Sequence, residues 1–161
     1  MNTTITTVRQ HVTVPVPVEE AFALFTERFG DVKPREHNLL DVPIVETRFQ
    51  PRVGGYIYDK GADGSECRWA RVLVFDPPRR VVFSWDISPT WQLEPDPARS
   101  SEVEVRFVPE PSGGTRVELE HRHLDRHGPG WEQAADGVSG AGGWPLYLER
   151  YRAMVATAAR A

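Results

Sequence analysis

Residues 69–85, Trp69-Ala-Arg-Val-Leu-Val-Phe-Asp76-Pro77-Pro78-Arg79-Arg80-Val-Val-Phe-Ser-Trp85, constrain this chain more than any other stretch. Two runs of β-branched and aromatic residues flank a turn that Asp76 opens and Pro77 shapes. That is the pattern of a β-hairpin inside a sheet. Two further runs, 102–108 and 115–122, alternate cleanly and are joined by Pro109-Glu-Pro-Ser-Gly-Gly114. Val103, Val105 and Phe107 oppose Glu102, Glu104 and Arg106; Val117, Leu119, His121 and His123 oppose Arg116, Glu118, Glu120 and Arg122. One face of the sheet is therefore expected to be wet and the other covered.

The rest of the chain supplies the cover. A strand is expected from Ile5 to Val14, stopped by Pro15 and Pro17. Val18 to Thr26 then has acids in its first turn and apolar residues at 18, 21, 22 and 25, a short amphipathic helix. Residues 28–42 read as a loop with at most one short helix. Strands are expected at 44–49 and from Tyr56, followed by a turn at 62–64. The stretch 88–100, with Pro89, Pro95 and Pro97, reads as a long loop, and 125–143 as a glycine-rich connection. Trp144-Pro145 opens a long helix to about Ala159, in which Trp144, Leu148, Tyr151, Val155 and Ala158 fall at helical spacing with Tyr147 and Met154 beside them. An antiparallel sheet wrapped around that helix, α+β in class, follows.

Length suits one domain over residues 1–161, with roughly 70% of the unfolded surface buried. A net charge of −4 without a long basic run argues against nucleic acid. No apolar run approaches the ~20 residues of a membrane span, and the polar start lacks the apolar core of a signal peptide. The single cysteine, Cys67, rules out an internal disulfide and suits a reducing compartment. A cytoplasmic protein, monomeric or homodimeric, is expected.

The order strand, short helices, six-strand meander and long helix resembles the helix-grip fold of the START-like (SRPBCC) superfamily. Arg52-Val-Gly-Gly55, the Arg71-Val72 strand leading into Asp76-Pro-Pro-Arg-Arg80, Phe83-Ser-Trp85, Thr115-Arg-Val-Glu-Leu-Glu-His121 and Gly142-Gly143-Trp144 are similar to the family related to activators of the heat-shock-protein-90 ATPase. The resemblance covers about residues 8–158. It implies six to seven strands around the C-terminal helix, two short helices after the first strand, and a cavity between sheet and helix. It implies no shared catalytic motif, so no catalytic residue carries over. The co-chaperones behind the family name have a further domain that this sequence lacks.

On that basis a small hydrophobic or amphipathic molecule is the expected partner, with no cofactor and no metal. The pocket candidates are Trp69, Arg71, Trp85, Trp91, His121, His123, Trp144, Tyr147 and Tyr151. His121 and His123, two apart on a strand, would share the covered face. They could hold a metal, with His37, His127 or Glu46 as a third ligand, but no metal-binding spacing supports this and a hydrogen-bonded pocket histidine is favoured. Period-two alternation puts Trp69 and Arg71 on one face without deciding which face is inside. An inward Arg71 could receive a carboxylate or enolate; an outward one, the favoured alternative, is a sheet-surface arginine. Trp91, between prolines, could serve as a lid. Two other functions stay open: a cyclase, aromatase or hydrolase using the same cavity, and a co-chaperone-like interaction domain.

Overall fold

A computed structural model describes residues 6–159; the strand expectation at Ile5 lies outside them. Strand β1 (Val8–Val14) leads into helix α1 (Val18–Glu27) and a short 3-10 turn at Phe29–Asp31. Six strands follow: β2 (Ile44–Phe49), β3 (Tyr56–Gly61), β4 (Glu66–Asp76), β5 (Arg80–Trp85), β6 (Ser101–Pro109) and β7 (Thr115–Arg122). Helices α2 (Trp131–Ser139) and α3 (Trp144–Ala159) close the chain. The seven strands form one sheet in the order β1-β7-β6-β5-β4-β3-β2, with every neighbouring pair antiparallel. This is the expected helix-grip arrangement.

Local chemistry explains the helices. Pro17 stands at the N-cap of α1, Glu19 and Glu20 complement the helix dipole, and Ala21, Phe22, Phe25 and Thr26 turn inward. In α3 the buried residues Trp144, Tyr147, Leu148, Tyr151, Met154 and Val155 recur every three to four positions, so one stripe faces the sheet. The Tyr151 hydroxyl donates to the Ala21 carbonyl at 2.7 Å and fixes α3 against α1. Phe25 sits edge-on to Phe107 of β6 and to Tyr151, so both helices share one core with the sheet.

The convex face is wet, as the alternation predicts, but it is an ion-pair lattice and not isolated charges. Glu104 is buried beneath Arg80, Arg106 and Arg122. Burial opposes its charge, yet hydrogen bonds from Arg80 and Arg122 outweigh that and hold its carboxyl below the usual range.

Three expectations need correction. The glycine-rich connection contains α2, because Trp131-Glu-Gln-Ala-Ala-Asp is a good helix former and Gly130 supplies the left-handed turn that starts it (φ 90°). Trp69 and Arg71 do not share a face. Ile57 pairs with Ala70 and Tyr58 with Arg68, so β4 carries one extra residue at Trp69; a second irregularity lies between Val72 and Val74. Each bulge resets the alternation. Finally, His123 is not beside His121: β7 ends at Arg122, and His123 is exposed in a left-handed conformation (φ 61°).

Candidate functional site

A cavity of about 390 Å³ opens where the sheet, the 33–39 segment, α2 and the start of α3 meet. Trp69, Trp85, Ile87 and Trp144 form its apolar floor; Gly137 and Val138 of α2 and Gly142 and Gly143 before α3 border it, as does the linked cluster of Lys33, His37, Asp59 and Tyr147. Glu36, Asn38, Leu39 and Trp91 complete the lining.

The floor is built from aromatic edges on faces. Trp85 contacts Trp69 at 5.6 Å between ring centroids and Trp144 at 5.4 Å, both T-shaped. The indole N–H groups of Trp69 and Trp85 are buried without a hydrogen-bond partner, among these rings.

Behind the floor runs a polar chain. Trp144 Nε1 donates to His121 Nδ1 at 3.0 Å. An indole nitrogen only donates, so His121 carries its proton on Nε2 and donates to Ser101 Oγ at 2.7 Å. The Ser101 hydroxyl is then free to donate to His127 Nε2, also at 2.7 Å. Burial, reinforced by His127, pushes His121 down to about 3, so the ring stays neutral. His121 thus holds a wall residue and does not itself line the cavity.

The polar cluster is more unusual. Lys33 Nζ lies 2.9 Å from Asp59 Oδ2, with both side chains under 5% exposed. The Thr47 hydroxyl donates to Asp59 at 2.6 Å, Lys33 donates to the His37 carbonyl at 2.6 Å, and its ammonium sits 5.8 Å from the Trp69 ring centre. These bonds satisfy a charge pair that would otherwise be costly to bury. His37 Nδ1 lies 3.4 Å from the Tyr147 hydroxyl. Burial, then the Lys33 charge, holds the imidazole below its usual range. Burial, then the Asp59 charge, raises the Tyr147 phenol well above its own. A neutral imidazole, a protonated phenol and an ammonium therefore border one cavity with a largely aromatic lining.

Trp91 stands at the mouth. It is 46% exposed and adopts a left-handed backbone (φ 61°) in a turn where its N–H donates to the Ser88 carbonyl. Its indole lies on α2 where residue 137 is glycine: a Cβ there would come within 2.7 Å of the ring.

Five of the nine pocket candidates therefore meet at the cavity: Trp69, Trp85, Trp91, Trp144 and Tyr147. His121 and Tyr151 are buried behind it, and His123 is exposed. Arg71 points away and forms a two-pronged pair with Asp86 at 3.1 Å for each bond. Lys33, Asp59 and Glu36 carry no pocket signal in the sequence, and His37 enters there only as a third metal ligand. Asp59 is legible only once its strand is placed: it shares its strand face with buried Ile57, and a carboxylate there requires a buried partner.

The family profile described as "Activator of Hsp90 ATPase homolog 1-like protein" matches residues 15–156. A comparison with curated proteins finds no match. Among solved structures, the chain is similar to Txn09, an anthrahydroquino-gamma-pyrone synthase complexed with SUM. Identity is 43% over 92% of this chain and 96% of that one, with a TM-score of 0.63. It is also similar to CalC, a self-sacrificing resistance protein from Micromonospora echinospora, at 29% identity over 94% and 95% of the two chains, with a TM-score of 0.67. The protein MLL2253 from Mesorhizobium loti, 20% identical over 94% and 97%, shares the fold with a TM-score of 0.66. No helix among the described residues is long and apolar enough to cross a membrane. Profile and architecture agree: the chain belongs to the activator of Hsp90 ATPase homolog 1-like family, of START-like helix-grip fold.

Proposed function

We propose that this chain takes a flat, oxygen-bearing aromatic small molecule into the cavity and closes a ring on it, residues 15–156 acting as one unit around that site. One observation carries the reading. The cavity is walled by tryptophans, as an apolar planar ligand requires, and its polar groups converge in one cluster at His37, Tyr147 and Lys33. A site meant only to dissolve an apolar ligand has no use for a buried ammonium–carboxylate pair at its wall. The likeness to a pyrone synthase, at 43% identity across nearly both chains, supports ring closure as the reaction class. The likeness to a resistance protein supports a second reading, capture without turnover. The co-chaperone-like alternative has little to stand on at the surface: of the exposed large apolar residues, Trp91 and Leu93 lie together in the loop at the cavity mouth, and Val45, Val53 and Val108 stand apart on β2, the β2–β3 turn and β6.

The test uses ortho-hydroxybenzoylacetone, which forms methylchromone by closing its phenolic oxygen onto the distal carbonyl and losing water. Catalysed formation of methylchromone, with methylchromone itself quenching the cavity tryptophans, is the expected result. Saturable binding without turnover would favour capture; no binding of either compound would overturn the use of this cavity.

A further inference from the structure

We propose that His37 is the catalytic base of the cavity, with Tyr147 as the hydrogen-bond donor that faces the same ligand; the assignment rests on the ring-closing reading above. Elimination from the lining leads there. Asp59 is committed to Lys33 and Thr47. Glu36 pairs at the surface with Arg150 at 2.9 Å. Lys33 spends two of its three N–H donors on Asp59 and the His37 carbonyl, so it offers charge and one donor but no lone pair. His37 is the remaining group that lines the slot and can hold a proton reversibly.

Its geometry suits the task. With the proton on Nδ1, His37 donates to the Tyr147 oxygen, and Nε2 keeps a lone pair that meets no partner among the described residues. The Tyr147 proton is then directed away from His37 and is available to a ligand oxygen. The Lys33 ammonium holds positive charge in the same cluster, where an oxyanion would develop. Burial and the Lys33 charge keep the imidazole neutral, and hence basic, at pH 7.

The proton balance closes without any other reagent. His37 Nε2 takes the phenolic proton as the oxygen–carbon bond forms and the carbonyl π electrons move onto oxygen, which Tyr147 and Lys33 stabilise. The imidazolium returns that proton to give the hemiketal. His37 next takes a proton from the carbon between the two oxygen-bearing carbons. The resulting enolate expels hydroxide, which leaves as water with the proton from His37. The ring gains its double bond, and His37 and Tyr147 end as they began.

The experiment compares wild type, His37→Gln, His37→Ala and Tyr147→Phe with ortho-hydroxybenzoylacetone as substrate and methylchromone as binding probe. For wild type, kcat/KM should rise with pH, through a midpoint below the ordinary imidazole value of about 6.5, to a plateau. His37→Gln should lose that limb and about a hundredfold or more in kcat/KM, yet bind methylchromone within about threefold. Added imidazole should restore part of the rate of His37→Ala. Tyr147→Phe should be slowed while keeping the limb. Two outcomes overturn the assignment: His37→Gln retains rate and limb, or its loss of rate is matched by an equal loss of methylchromone binding. If wild type binds methylchromone but forms none, ring closure fails and the base assignment with it, while ligand binding stands.

Discussion

Ser101→Ala removes a single oxygen and tests the buried chain behind the cavity. The hydroxyl bridges His121 Nε2 and His127 Nε2 at 2.7 Å each, and all three residues are at most 2% exposed. Without it, one N–H and one ring nitrogen lie buried with no partner. Each orphaned group costs about 1–3 kcal/mol, so the loss is about 2–6 kcal/mol. No water can substitute readily at a site this enclosed, and the slightly more apolar alanine offsets little. For a chain of this size, at about 2–4 °C per kcal/mol, the melting temperature should fall by about 4–24 °C. Urea unfolding at neutral pH, followed by tryptophan fluorescence, measures the loss. The Trp144 indole N–H resonance should also shift, because its acceptor His121 is no longer held. Ser139→Ala, at an exposed serine, serves as the control and should change stability by less than about 0.5 kcal/mol. If Ser101→Ala costs less than about 1 kcal/mol, the hydroxyl is not the bridge and the directional reading of the chain is wrong.

Acid should weaken the fold before the carboxylates titrate. His121 binds its proton near 6.5 when unfolded but near 3 when folded. The unfolded state therefore takes up more protons below about 6.5, and stability falls with pH. Between pH 6.5 and 5 this one group should remove about 1.5–2 kcal/mol, read as a falling urea midpoint; a flat midpoint would contradict the neutral, buried His121. Gly137→Ala should gain up to about 1 kcal/mol from helix propensity. It should do so only by displacing Trp91 from α2, seen as red-shifted emission that Trp91→Phe abolishes; a loss of more than about 1 kcal/mol would show that Trp91 cannot yield. Lys33→Met should destabilise by about 3–5 kcal/mol, because Asp59 is left charged and buried. Adding Asp59→Asn should recover part of that loss, and a double-mutant cycle measures the coupling; strict additivity would mean the pair is not coupled.

The sheet and the long helix were legible in the sequence because both rest on periodicity. Val103 to Phe107 and Val117 to His121 alternate without interruption, and their strands pair in register. Legibility failed where the period breaks. The extra residue in β4 reverses the alternation between Trp69 and Arg71, and nothing local in Trp69-Ala-Arg announces a bulge. His123 continues the pattern on paper, but the chain leaves the sheet one residue earlier. In α2, Gly130, Gly137 and Gly140 gave the appearance of a loop, yet the first starts the helix, the second admits Trp91 and the third ends it. The aromatic wall of the cavity was readable as bulky residues on inward faces. Its polar side was not, because Lys33 and Asp59 come from a loop and a strand 26 positions apart and become a pair only through burial. Charge on a sequence normally signals solvent, and here the tertiary fold reverses that meaning.

The pairing of β1 with β7 has a consequence for how the molecule is made. Val8 lies opposite His121, so the first strand stays unpaired on that edge until more than a hundred later residues have been synthesised. The strands β2 to β7 can zip as consecutive hairpins, each closing a short loop. Joining β1 closes a long one, and α3, which roofs the core, comes later still in the chain. The late-synthesised end therefore supplies both β7, the strand partner of β1, and two residues that line the cavity, Trp144 and Tyr147. On the ribosome the slot for a ligand does not exist until the last helix docks. Folding should accordingly be slow for a chain of this length, and a ligand present during synthesis would meet its site only at the final step.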